Sequence, residues 1–113
     1  MGVPANYPLT IRTGDTETVT VSLQDSAGAA VNITGRTYQA QIRDTAASTA
    51  VLATFTCSVT NGTAGTFACT LGTATTAALS EQTGVWDCQE TTAGGVVSTL
   101  LAGQVWIVQD VTR

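Results

Sequence analysis

Few residues in this chain could do chemistry, and their spacing argues against most reactions. There is no His and no Lys, so the usual base near neutral pH and the Schiff-base nucleophile are both missing. Cys57, Cys69 and Cys88 show no Cys-x-x-Cys spacing and have no His partner. A structural zinc needs about four ligands at defined spacings, which effectively excludes that site. A cysteine nucleophile needs a base or an electropositive setting, yet all three sit on the apolar face of alternating segments. Two carboxylate pairs remain, Asp15 with Glu17 and Asp87 with Glu90. Acid–base cleavage of a glycoside needs two carboxylates across a cleft with stacking groups beside them. Asp15 and Glu17 instead open a strand and are expected to face water. The turn at Asp25 has too few nearby carboxylates for calcium. The sequence therefore predicts no catalytic residue, no metal and no cofactor.

The same residue types have a packing role. A hairpin centred near Thr63 sets Cys57 opposite Cys69 on adjacent strands, both on the core face. Facing Cβ atoms about 4 Å apart could carry a disulfide. A chain folding in a reducing cytoplasm keeps its thiols, and a free cysteine packs as a small hydrophobe. Both are expected to be reduced core thiols, with Cys88 and Trp86 also in the core. Trp86 and Trp106 could form a stacking platform for a host glycan. Apolar strand neighbours make core or a sheet contact the first expectation for each. Asn32-Ile-Thr34 and Asn61-Gly-Thr63 match the glycosylation pattern, but without a signal peptide they read as turn chemistry.

Those residues must be positioned by strands. The chain has 113 residues, enough for one domain spanning 1–113. Charged residues make up only 11% and helix formers such as Lys and Glu are scarce, which with abundant Thr favours a pleated surface. Four cations, Arg12, Arg36, Arg43 and Arg113, stand against eight carboxylates, for a net charge of -4. Such a surface cannot neutralise phosphates, so neither nucleic acid nor an anionic membrane is an expected partner. No apolar run approaches the roughly 20 residues of a membrane span. The first ten residues lack the basic and apolar regions of a signal peptide, which points to a cytoplasm as the place of synthesis.

Apolar and polar residues alternate through Val19–Leu23, Tyr38–Ile42, Phe55–Val59 and Phe67–Leu71, the period of half-buried antiparallel strands. Turns are expected at Asp25-Ser-Ala-Gly28, at Asn61-Gly62, where both residues tolerate positive φ, and at Ala93-Gly-Gly95. The expectation is an all-β antiparallel sandwich of about seven strands, at 16–24, 36–44, 50–60, 65–71, 83–92, 95–102 and 104–111. Thr75 to Leu79 could add one helical turn. Expected core residues are Val19, Val21, Leu23, Tyr38, Ile42, Phe55, Val59, Phe67, Leu71, Trp86 and Ile107. Pro4 and Pro8 frame an extended N-terminal arm over residues 1–13, at most an edge addition because Pro cannot donate to a ladder. The arm could lie on its own domain or present Pro4, Tyr7, Pro8, Leu9 and Ile11 to a partner.

The order of short motifs adds a likeness. Leu9-x-Ile11, Gly14-Asp15 and Asp25-x-x-Gly28 precede Val31-Asn-Ile-Thr-Gly35 and Tyr38-x-Ala-x-Ile-Arg43. Thr76-Ala-Ala-Leu79, Gly84-Val-Trp-Asp87, Gly103 and Val111-Thr112 follow. Across nearly its whole length the chain resembles the N-terminal immunoglobulin-like domain of phage baseplate upper proteins and related small virion proteins of tailed phages. The resemblance implies an immunoglobulin-like sandwich and a non-enzymatic structural part of a virion, assembled in the host cytoplasm. Its partners would be other virion proteins of the tail, baseplate or head surface, met in many copies, or further copies of itself. Capsid decoration is one form of that role. Host-glycan binding is the alternative from a different class.

Overall fold

Period-two patterning gives each strand one inward row of apolar side chains, and two sheets close over those rows. The computed structural model describes residues 5–109. Nine strands and one helical turn follow in order: β1 (Ala5–Asn6), β2 (Leu9–Arg12), β3 (Glu17–Ser22), β4 (Thr37–Arg43), β5 (Val51–Thr54), β6 (Thr56–Asn61), β7 (Thr66–Leu71), α1 (Thr73–Ala77), β8 (Gln82–Thr91) and β9 (Val97–Val108). The larger sheet runs β1-β9-β8-β4-β5, with β2 also on β9, and the smaller runs β3-β7-β6. The chain is an all-β sandwich.

Three departures from the sequence expectation concern how strands pair. The stretch expected as one strand over 50–60 breaks at Phe55, whose amide donates to the Ala40 carbonyl (2.9 Å). There the chain leaves β4 in the larger sheet and, as β6, joins β7 in the smaller. The two strands expected around Gly103 are a single β9, and the arm is a pair of short strands. Those strands run parallel to β9, with Leu9 opposite Val105 and Ile11 opposite Ile107, so the sandwich is not purely antiparallel.

Inward rows from both sheets form one core, with Ile11, Val19, Ile42, Phe67, Leu71 and Ile107 among its fully buried side chains. Val21, Leu23 and Tyr38 pack against it half-buried. Val59 is 39% exposed, contrary to the expectation. It lies on an edge strand, and the β6–β7 ladder shifts register just after it. Ile33 was not foreseen: the loop over Val31-Asn-Ile-Thr-Gly35 buries it, its amide donating to the Gly62 carbonyl (2.9 Å). The hairpin around Thr63 is also longer than a two-residue turn. Gly65, at φ +72, takes the left-handed conformation, while Asn61 accepts the Ala64 amide on its side-chain oxygen.

Two quoted motifs meet in one contact. The Thr76 hydroxyl is fully buried, accepts the Gly14 amide (3.0 Å) and donates to the Asp15 carbonyl (2.7 Å). A helical turn between β7 and β8 thereby clasps the turn between β2 and β3.

Candidate interaction surface

The arm is stitched into its own domain. Tyr7 donates its amide to the Ala102 carbonyl (2.9 Å) and Thr13 to that of Val108 (3.0 Å). Pro8, which has no amide to give, falls between β1 and β2. Gly103 makes the close approach possible, since a Cβ there would stand 2.5 Å from the Tyr7 carbonyl oxygen. That carbonyl accepts the Trp86 indole N–H (2.7 Å), and the Tyr7 ring meets Trp86 edge-on at 6.0 Å. Leu9 and Ile11 are buried core, which at about 1.5–3 kcal/mol for each large apolar side chain is a firm anchor. Of the five arm residues named from sequence, Pro4 lies outside the described residues. Leu9 and Ile11 are taken by the domain itself, leaving Tyr7, 42% exposed, and Pro8 at the surface.

The exposed apolar surface is concentrated elsewhere. Thr92 and Val96 close the β8–β9 hairpin over Gly94-Gly95, and Val96 and Val97 stand 60% and 54% exposed at its tip. The sequence signal for this was present: Val96-Val97 breaks alternation directly after the Gly pair. Strand edges are also open among the described residues: in the smaller sheet β3 and β6 each pair only with β7, and in the larger sheet β5 pairs only with β4.

The outer face of the larger sheet carries a groove of about 390 Å³ whose polar lining includes Asn6, Gln41, Arg43, Asp87 and Gln104. Arg43 is braced there, donating to the Ser48 carbonyl (2.7 Å) and to the Gln41 side-chain oxygen (3.1 Å). Two positions along β9 from Gln104, Trp106 is 41% exposed rather than core. Val105 and Ile107 point inward, so strand alternation forces Trp106 to the opposite face. Trp86, by contrast, is buried as expected.

The carboxylate pairs separate. Asp87 and Glu90 are three apart on β8 and take opposite faces, Asp87 lining the groove and Glu90 buried. Glu90 accepts both its ion-pair contacts from Arg36 (3.2 and 3.3 Å) and the Tyr38 hydroxyl (2.7 Å). Burial and the neighbouring Glu90 push the Tyr38 phenol above its ordinary pKa. Partial burial and then the nearby Asp15 raise the Glu17 carboxyl. Neither arrangement sets two carboxylates across a cleft.

Cys57 and Cys69 face each other in register across the hairpin, as expected from its centre. No helix among the described residues is long and apolar enough to cross a membrane, and no group of three or more of them could hold a metal ion. No family model matches the chain, and no curated protein matches it.

Proposed function

We propose that the protein is a non-enzymatic structural accessory of a tailed-phage virion, docking in many copies onto other virion proteins. The observation that carries this reading is the strand order. β3-β7-β6 facing β4-β8-β9 corresponds to strands B-E-D facing C-F-G of an immunoglobulin sandwich. The motif order along the sequence supports the same likeness. Docking then falls to the Val96–Val97 tip and the open edges of β3 and β6, where an added strand gains main-chain hydrogen bonds. Copy number multiplies such contacts into stable attachment.

The test is fractionation of particles. The protein should migrate with them in a density gradient, in many copies per particle. Val96→Asp with Val97→Asp should leave the unfolding midpoint unchanged and cut incorporation several-fold. A protein that stays at the top of the gradient contradicts the role. A doubly substituted protein that incorporates normally moves the contact from the tip to a strand edge.

Exposed Trp106 beside the amide-rich groove favours a second reading, a platform for host glycans. An exposed ring offers a stacking face, while Gln and Arg side chains supply directional hydrogen bonds. Oligosaccharides of the host surface should then protect Trp106 fluorescence from iodide. Unprotected quenching across a panel of such sugars removes this reading.

A further inference from the structure

Three sulfur atoms meet inside the sandwich. Cys57 Sγ lies 2.8 Å from Cys69 Sγ, and Cys88 Sγ, from the opposite sheet, lies 4.0 Å from Cys69 Sγ. Cys69 thus has one sulfur neighbour in its own sheet and one across the core. The Cys57–Cys69 separation is only about 0.8 Å beyond a disulfide bond. Facing residues of antiparallel strands hold their Cα atoms about 4.5–5.5 Å apart, inside the roughly 4.4–6.8 Å that a disulfide spans. Closing the bond asks for side-chain rotation and no strand movement.

Access differs among the three. Cys57 is half-buried on the edge strand β6, whereas Cys69 and Cys88 are buried. The hydrogen bond between Cys57 and Cys69 holds the Cys57 pKa below the usual thiol value. Both sulfur neighbours, together with burial, push the Cys69 thiol up. The reachable sulfur is therefore also the one readier to attack.

We propose that Cys57 and Cys69 form a thiol pair that closes to a disulfide on meeting a small disulfide oxidant, leaving Cys88 as a thiol. With oxidised glutathione, the Cys57 thiolate attacks one glutathione sulfur and expels the other half as thiolate, which takes up a proton. Cys69 then gives its proton to solvent and attacks Cys57 Sγ. The mixed disulfide breaks and the second glutathione leaves as a thiol. Two protein thiols are oxidised, and one glutathione disulfide is reduced to two thiols. Cys88 does not take part, because it is buried and nearest a sulfur already engaged.

This thiol pairing is independent of the virion role. Reduced protein would be incubated with oxidised glutathione, quenched with acid and counted for thiols in denaturant. The three free thiols should fall to one, the mass should drop by two hydrogens, and peptide mapping should join Cys57 to Cys69. Cys69→Ser should keep glutathione on Cys57, since no facing sulfur resolves it. Should that variant not fold, Cys88→Ala serves instead, and both its remaining thiols should disappear together. Three surviving thiols in the native protein, a lasting glutathione adduct on it, or a Cys69–Cys88 link would overturn the proposal.

Discussion

The N-terminal arm and the β8–β9 hairpin tip make an instructive pair. Each brings apolar residues to the margin of the larger sheet, and only one of them is absorbed. Leu9 and Ile11 lie beside the free edge of β9, whose backbone offers a ladder and whose inward row leaves space between the sheets. Val96 and Val97 sit where the chain reverses, with no strand beyond them to cover their side chains. Apolar character alone therefore does not mark a docking segment. What matters is whether the domain has an unfilled edge for that segment.

The sharpest way to break this comparison is a matched truncation. Ile11→Ala should cost about 2–5 kcal/mol of unfolding free energy in urea, as a fully buried side chain does. Val97→Ala should stay within about 0.5 kcal/mol. Equal costs would mean that arm and tip are alike after all. Gly103→Val comes next, at about 1–3 kcal/mol, because its side chain would collide with the Tyr7 carbonyl. The emission of Trp86 should change with it, as its N–H loses that acceptor. An unchanged spectrum would show that the arm is not held at Tyr7.

The smallest effect concerns the first residue of β3. Glu17 has a raised pKa in the folded state, so folding favours its protonated form. Its contribution to stability is present at low pH and lost as pH rises through the folded-state value. Glu17→Gln should therefore stabilise the protein at pH 7 by a few tenths of a kcal/mol, the group being largely solvent-screened. The gain should vanish in acid. A gain of the same size at both pH values would assign it to something other than charge.

Much of this architecture could be read from alternation, because a half-buried strand writes its inward face into every second residue. Val19, Ile42, Phe67 and Leu71 were identifiable in that way, and so was the facing of Cys57 and Cys69, which follows from a hairpin centre alone. Strand partners beyond a hairpin leave no such mark. Nothing local in Leu9-Thr-Ile-Arg12 says that its partner is β9, or that it runs parallel. Glycine at position 103 suggested a break, whereas its missing side chain serves the approach of another strand. The sheet switch at Phe55 likewise depends on two partners in different sheets, β4 before it and β7 after it. The candidate surface was the least legible part. Exposure at Trp106 and Val96 depends on what the rest of the molecule fails to cover.

The parallel pairing of β2 with β9 has a consequence for the order of events during synthesis. The arm leaves the ribosome before the other described strands, and its partner is the last one described. Closing a contact across nearly the whole chain carries a large loop entropy and slows folding. Until β9 emerges, Leu9 and Ile11 have no ladder to join and stay open to chaperones or to neighbouring nascent chains. The edge that finishes the sandwich is thus set only once β9 has been made, and a ribosome-bound chain stalled before Val97 should leave its arm sensitive to protease.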